Sequence, residues 1–278
     1  MERAGIGRRL IIFTMVMLGA VIFLYPTAAD WFSRLRHAET LSSYQHALES
    51  MSDDEKRESF DRAAAYNADI PPGGLRDPFA ETATEERHQF LADQFHVLKT
   101  QESDVIGRVR FDQVGIDLPM YHGTDNDVIS KGAGHLDGSS LPIGGPSTHA
   151  VLTAHSGLPH ARLFTPLHEA TLGDVFWVET LGERRWYRVE NILIVDEYDL
   201  SELNIVKGRD QVTLFTCTPI GVNSHRLLVR GERIEAPSED GGAVHDDVLL
   251  GFPWWALSLA LIVVALCLVL FGHRGQAK

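Results

Sequence analysis

The chain has 278 residues, 44% of them hydrophobic and 9% aromatic, enough for one well-packed domain or two small ones once membrane segments are set aside. The stretch from Asp30 to Val248 holds 20 basic and 37 acidic residues, a formal charge of −17. So acidic a domain is a poor partner for nucleic acid or anionic lipid headgroups, whereas it is compatible with basic peptide substrates.

The first hydrophobic segment runs from Leu10 to Tyr25 and is apolar for 16 residues. At about 1.5 Å per residue it reaches roughly 24 Å, which is short for a membrane-spanning helix. Arg3, Arg8 and Arg9 precede it, and small residues follow at Thr27-Ala28-Ala29. The segment therefore fits either a cleavable signal peptide or a short spanning helix.

The second hydrophobic segment, Leu249 to Phe271, has 23 residues without a charge. Its length of about 34 Å is sufficient to cross a bilayer. Basic residues lie outside both hydrophobic segments, so the positive-inside rule predicts both termini in the cytoplasm and the middle of the chain outside. The alternative is a pair of buried core helices.

Between these segments the chain divides into a helical part and a β part. Residues 31–66 contain no Gly or Pro, and Ser52 followed by acidic residues predicts a capped helix start. A Pro/Gly loop follows, and from Ile106 onward short β-like runs are separated by Gly and Pro. Their spacing, without alternating helices, predicts an all-β barrel or sandwich.

Cys217 is the only cysteine outside the two hydrophobic segments, because Cys267 lies within the second. A cysteine without an intrachain partner on the oxidising side of a membrane suggests a reactive thiol. The alternative is a buried cysteine that acts as a small hydrophobe.

Two polar residues, Cys217 and His155, end β-like runs before Gly/Pro loops, and a third, Arg226, begins such a run. Cys217 ends the run Val212–Thr216 and is followed by a Pro/Gly loop, and Arg226 comes nine residues later at the start of the next run. A nearby cation favours a thiolate and can stabilise an oxyanion. His155 ends the run Ala150–Ala154 in the same way. The arrangement shared by Cys217 and His155, and the loop that connects the strands of Cys217 and Arg226, make the three residues candidates for one active site.

These segments resemble the sortase family. TLFTCTPIGVNSHRLLVRG, from Thr213 to Gly231, is similar to the sortase active-site signature, and its continuation is similar to the pilus-assembling class C branch. LTAHSGL resembles the family's histidine segment, and Asp77-Pro78-Phe79 resembles the lid of class C members. Two departures are Ile220, where an aromatic residue is common, and Phe79, where tryptophan is common.

The resemblance implies a closed β-barrel of about eight strands, with N-terminal helices and flanking transmembrane helices. It implies Cys217 as nucleophile, His155 as proton donor, Arg226 as oxyanion stabiliser, and a lid of Asp77, Pro78 and Phe79 over them. The substrates would be pilins or surface proteins with an LPxTG-like signal, and the acceptor a pilin lysine. No cofactor and no metal are implied.

The hydrophobic segments, the helical and β-like runs and the resemblance together predict the division of the chain. The expected regions are a membrane segment or signal anchor at 1–29, a helical region at 30–104 with the lid loop at about 73–82, the catalytic barrel at 105–235, a linker at 236–248, a transmembrane helix at 249–271 and a cytoplasmic tail at 272–278.

Other functions remain open from the sequence. A peptidoglycan-directed L,D-transpeptidase has a shorter spacing between its histidine and cysteine, and a papain-like endopeptidase has the cysteine before the histidine. A membrane-tethered binding module with an inert Cys217 is the non-enzymatic alternative. Within the sortases, the alternative is a housekeeping enzyme that attaches surface proteins to peptidoglycan.

Overall fold

The computed structural model describes residues 2–70, 97–100, 103–237 and 251–271. The chain forms two compact units. One contains residues 1–35, 159–161 and 250–278, and the other contains residues 36–158 and 162–249. The larger unit contains all of the described strands.

Eight strands close into one barrel in the order β1-β2-β3-β4-β7-β8-β6-β5. The strands are β1 Val105–Phe111, β2 Ile116–His122, β3 Ala133–His135, β4 Thr148–Thr153, β5 Val175–Thr180, β6 Glu183–Asp196, β7 Asp210–Thr218 and β8 His225–Ile234. Most neighbours are antiparallel, but β2 with β3 and β4 with β7 are parallel. The predicted closed barrel of about eight strands is confirmed, and the sandwich alternative is wrong.

The barrel interior is filled by aliphatic and aromatic side chains from several strands. One buried cluster lies under β4, β7 and β8 and consists of Leu136, Val151, Leu203, Phe215 and Leu228, each at most 2% exposed. Its members on β4, β7 and β8 come from the strands that carry the candidate active-site residues. The cluster therefore packs along the strands whose ends lie near Cys217.

A buried ion pair connects the first two strands of the barrel. Arg108 on β1 donates to both carboxylate oxygens of Asp117 on β2, at 2.6 and 2.7 Å. Both side chains are almost fully buried, and the guanidinium also lies 5.3 Å from the ring centre of Trp177. Such a bidentate pair compensates for the loss of water around both charges.

Two helices precede the barrel. Helix α1 spans Glu2–Ser50, and its C-terminal part belongs to the larger unit, where Tyr44 accepts a hydrogen bond from the Leu181 amide. Burial raises the pKa of Tyr44 far above its usual value. Helix α2 spans Asp53–Asp69 and begins with a capping box in which Ser52 and Glu55 bond each other's backbone amides.

The end of α2 is attached to the barrel by one side-chain amide. Asn67 accepts a hydrogen bond from the Leu141 amide at 2.7 Å and donates to the Leu141 carbonyl at 3.1 Å. This pairing imitates a short strand contact, so it fixes the helix end against the loop that precedes β4.

The smaller unit contains the N-terminal part of α1 and a C-terminal helix, α4, which spans Trp254–Phe271. Trp31 donates its indole hydrogen to the Gly251 carbonyl at 2.8 Å, and its ring lies 6.3 Å from that of Trp255. Within the described part of the chain, one helical stretch, Ile6–Ser50, is long and apolar enough to cross a membrane, and Trp254–Leu270 is a shorter apolar helix.

Two histidines are buried as neutral side chains in the barrel. Burial lowers the pKa of His135 to about 3, with the nearby His122 adding to the effect. Burial also lowers the pKa of His149 to about 4, and the charge of Arg230 acts in the same direction. His149 bonds the Asn204 carbonyl at 3.1 Å and the Thr213 hydroxyl at 2.7 Å.

We expect the barrel to lose stability as the pH falls from about 6.5 toward 4. The unfolded chain takes up protons on these histidines in that window while the folded chain does not, so the stability present above pH 6.5 is lost on acidification. His149→Gln should remove part of this dependence, on the order of 3 kcal/mol between pH 7 and 4. Urea unfolding of the full chain in detergent at both pH values measures it.

The exposed His160 provides the matched control, because His160→Gln removes a histidine without changing the buried network. An identical loss of stability on acidification in the wild type and in His149→Gln would contradict the explanation.

Candidate active site

Cys217 lies next to the last residue of β7 and is a thiol with 8% of its surface exposed. The strand ends because Pro219 has no amide hydrogen to donate to a ladder and the following loop turns at Gly221. The Cys217 side chain therefore lies at the end of a barrel strand, close to the barrel surface.

Arg226 faces Cys217 directly across the antiparallel ladder between β7 and β8. Opposed residues of such a pair point to the same face, with side chains about 5 Å apart at their base. Arg226 is 3% exposed, and its Nη1 donates to the carbonyls of Asn223 and His225 at 2.8 and 3.3 Å. The strand pairing thus places a buried cation beside the thiol.

His155 lies on the opposite side of Cys217, just beyond the end of β4. Strands β4 and β7 are parallel neighbours whose register ends with Thr153 opposite Phe215. Side-chain bonds continue the alignment, since Thr216 donates to the Ala154 carbonyl at 2.8 Å and Ser156 donates to the Cys217 carbonyl at 2.7 Å. His155 and Cys217 are therefore level with each other on adjacent chain segments.

The structure thus brings the three residues predicted from sequence to one edge of the barrel, which we call the Cys217 rim and define by His155, Cys217 and Arg226. The cation on one side can stabilise a thiolate and a developing oxyanion. The imidazole on the other side can exchange a proton with an amine. Together these groups suit acyl transfer through a thioester.

One charged neighbour of the Cys217 rim was missed by the sequence reasoning. Glu197, which follows β6, approaches Arg226 at 3.3 Å, and its side chain is 35% exposed. It lies near because Val195 of β6 is the second cross-strand partner of Arg226. No motif marks this glutamate, and only the pairing of β6 with β8 reveals it.

A second missed neighbour is Asn126, in the short helix α3, Asn126–Ile129. Its side-chain oxygen lies 2.8 Å from Nε2 of His155. Neither the composition nor the spacing of this loop suggested a contact with a residue 29 positions later.

The predicted lid residues Asp77, Pro78 and Phe79 lie outside the described residues. Among the residues that the structure does describe, no group of three or more His, Cys, Asp or Glu side chains could hold a metal ion.

Comparison with known proteins identifies the family. A family model described as the sortase domain matches residues 109–234. The crystal structure of sortase C1 from Streptococcus agalactiae is 39% identical, with a TM-score of 0.65, and the match covers 72% of this chain and 97% of that one. The chain belongs to the sortase family. The expected resemblance is therefore confirmed.

Other solved structures place this sortase in the class C branch. Sortase C-1 from Actinomyces oris is 42% identical, with a TM-score of 0.61, over 65% of this chain and 99% of that chain. Sortase C from Streptococcus pneumoniae is 39% identical, with a TM-score of 0.64, over 72% of this chain and all of that chain.

A curated relative, sortase A of Streptococcus agalactiae, is 28% identical over 137 residues. That match covers 48% of this chain and 55% of the relative, so it spans about half the length of that protein. Membership of the sortase family rules out the L,D-transpeptidase and papain-like alternatives.

The loop after His155 depends on a close contact with the loop after Cys217. Gly157 has a φ of +76°, and a Cβ atom there would lie 2.5 Å from Cγ2 of Ile220. Ile220 is half exposed and lies on the loop that follows β7. Gly157 therefore lets the two loops of the Cys217 rim approach each other.

We expect Gly157→Ala to lower the rate at which a peptide acylates Cys217 by about tenfold. The reason is that the added methyl group pushes the loop after His155 away from the loop after Cys217. Gly221→Ala is the matched control, since Gly221 has a similar φ of +81° but nothing within 4 Å of the added atom. Steady-state cleavage of a sorting-signal peptide compares them. Equal losses in both variants would show that backbone strain, and not the contact with Ile220, is responsible.

Proposed function

We propose that this sortase is a membrane-anchored cysteine transpeptidase that joins proteins through an LPxTG-like signal. The observation that supports it is the alignment of three adjacent strands at the Cys217 rim, with Arg226 opposite Cys217 and His155 level with it. This arrangement supplies a nucleophile, an oxyanion-stabilising cation and a proton donor to one carbonyl group.

In the first half-reaction, the Cys217 thiolate attacks the carbonyl carbon between Thr and Gly of the signal. A carbon–sulfur bond forms, and the carbonyl oxygen gains charge that the Arg226 guanidinium stabilises. The carbon–nitrogen bond then breaks, and His155 gives its proton to the leaving glycine nitrogen. The product is a thioester that retains much of the energy of the peptide bond.

In the second half-reaction, the side-chain amine of a lysine on a pilin attacks the thioester. A carbon–nitrogen bond forms, the carbon–sulfur bond breaks, and Cys217 leaves as a thiolate. The amine's surplus proton passes to neutral His155, which restores the starting protonation state. The product is an isopeptide bond between two pilin subunits.

The choice of a pilin lysine over a peptidoglycan amine rests on the class C relatives. The solved structure of Streptococcus pneumoniae sortase C is described in terms of pilin substrate specificity. The alternative acceptor is the cell-wall amine used by a housekeeping enzyme, and competition between the two amines distinguishes them.

We propose that the barrel lies outside the cell, with both termini in the cytoplasm. The helical stretch Ile6–Ser50, which is long and apolar enough to cross a membrane, and the shorter apolar helix Trp254–Leu270 support this placement, as do the basic residues beyond them. The substrates of such an enzyme are themselves exported, so both reactants would meet on the same side of the membrane.

We also propose a lid formed by Asp77, Pro78 and Phe79. Its support is the position of this tripeptide, upstream of the barrel in a chain that has the other class C motifs. An aspartate there would pair with Arg226, and the aromatic ring would cover Cys217.

The central prediction is an acyl adduct on Cys217. The full chain in detergent, incubated with an LPxTG peptide, should gain the mass of the peptide up to its threonine, and Cys217→Ala should gain nothing. Mass spectrometry of the intact protein measures this. If no adduct forms although Cys217 alkylates readily, the sorting signal is of another type, and if Cys217 does not alkylate even after the lid residues are replaced, the binding-module alternative is favoured.

The lid predicts that Asp77→Ala or Phe79→Ala increases the alkylation rate of Cys217 severalfold, because the thiol is uncovered. Asp61→Ala, an exposed change on α2, is the matched control and should label like the wild type. Labelling rates that do not differ among the four proteins would contradict a lid.

A further inference from the structure

We propose that Asn126 is a positioning residue for His155: it holds one ring nitrogen through its side-chain oxygen, so that the other nitrogen exchanges the proton with the amine. This inference rests on the proposed function, because it concerns how His155 performs its step. Asn126 itself does not touch the reacting atoms in this scheme.

Two contacts join helix α3 to His155. The amide oxygen of Asn126 lies 2.8 Å from Nε2 of the ring, and the backbone amide of His155 donates to the Ile129 carbonyl at 3.3 Å. One end of this short helix thus fixes the ring and the other fixes the backbone. The ring cannot rotate freely without losing the bond to Asn126.

The carbonyl of His155 is fixed from a third direction. It accepts a hydrogen bond from the Phe164 amide at 3.1 Å, at the start of the 3₁₀ helix Thr165–Glu169. The next residue, Ser156, donates a hydrogen bond to the Cys217 carbonyl. With the amide and the carbonyl of His155 both bonded, the side-chain bond to Asn126 contributes to the orientation of the ring.

The protonation states of the His155 ring require that the group bonded to Nε2 is an acceptor, as the Asn126 amide oxygen is. A histidine that donates a proton begins as imidazolium, in which both ring nitrogens carry hydrogen. The partner of Nε2 must then be an acceptor, and the carbonyl oxygen of an amide fulfils this role. After the transfer, Nε2 keeps its hydrogen because the amide oxygen still accepts it, so the proton leaves from Nδ1.

A neutral acceptor at this position suits a proton donor better than a charged one. A carboxylate would stabilise imidazolium and hold its proton to higher pH, which slows its release. Asn126 lies between Asp125 and Asp127, yet the residue at 2.8 Å from the ring is the amide. The chain therefore orients His155 without adding an adjacent negative charge through this contact.

Other charges also act on His155, and the experiment has to separate them from Asn126. Titratable and charged side chains on the segments that bond or adjoin His155 include Asp125, Asp127 and Lys131 around α3, Cys217 on β7, Arg226 on β8, and Arg162, His168 and Glu169 near the 3₁₀ helix.

The test compares Asn126→Ala, Asn126→Asp and the control Asp127→Asn in the full chain in detergent, using acyl transfer from an LPxTG peptide to a lysine-containing peptide. Asn126→Ala should lower the maximal rate about tenfold, because the ring loses its orientation. Asn126→Asp keeps an acceptor oxygen, so it should move the alkaline limb of the pH–rate profile upward by about one pH unit. Asp127→Asn should not move the alkaline limb of the pH–rate profile upward.

Nuclear magnetic resonance of the His155 ring provides a readout that does not depend on catalysis. The pH at which the ring loses its proton should rise in Asn126→Asp and not in Asp127→Asn. An unchanged titration in Asn126→Asp, or a rate within twofold of the wild type in Asn126→Ala, overturns the inference. Failure of the wild type to form an adduct would instead contradict the proposed function and leave the titration to decide the role of Asn126.

Discussion

The site depends on the parallel pairing of β4 with β7. This ladder runs from Thr148 opposite Asp210 to Thr153 opposite Phe215, and it joins segments that are 62 residues apart in the chain. Because a register shift of one residue would turn every side chain to the other face, the apolar cluster beneath the two strands also fixes their alignment. Core packing therefore determines whether His155 and Cys217 lie level.

Two buried arginines of the barrel, Arg108 and Arg226, are each surrounded by hydrogen-bond acceptors. Arg108 is buried with Asp117, and Arg226 is buried with backbone carbonyls and Glu197 around it. An isolated buried guanidinium would be costly, so each is surrounded by acceptors. The difference is that Asp117 is buried whereas Glu197 is partly exposed, which leaves the charge beside Cys217 less completely neutralised.

The strands were largely predictable from sequence, because most of them contain short runs of apolar residues, and Gly and Pro separate several of these runs. The strand β3, Ala133–His135, was missed since three small or polar residues show no periodicity. Cys217, His155 and Arg226 were recognisable by motif. Glu197 and Asn126 were not, because each approaches its partner through tertiary pairing of distant segments and neither has a local signature.

The connectivity of the barrel also affects when chemistry becomes possible during synthesis. Barrel closure joins β1 to β5 and β4 to β7, contacts with large sequence separation, and such contacts form late and slowly in folding. Until they form, Cys217 has no imidazole level with it, although the short β7–β8 connection already places Arg226 opposite it. A nascent or partly folded chain therefore lacks the complete Cys217 rim, which only the closed barrel assembles.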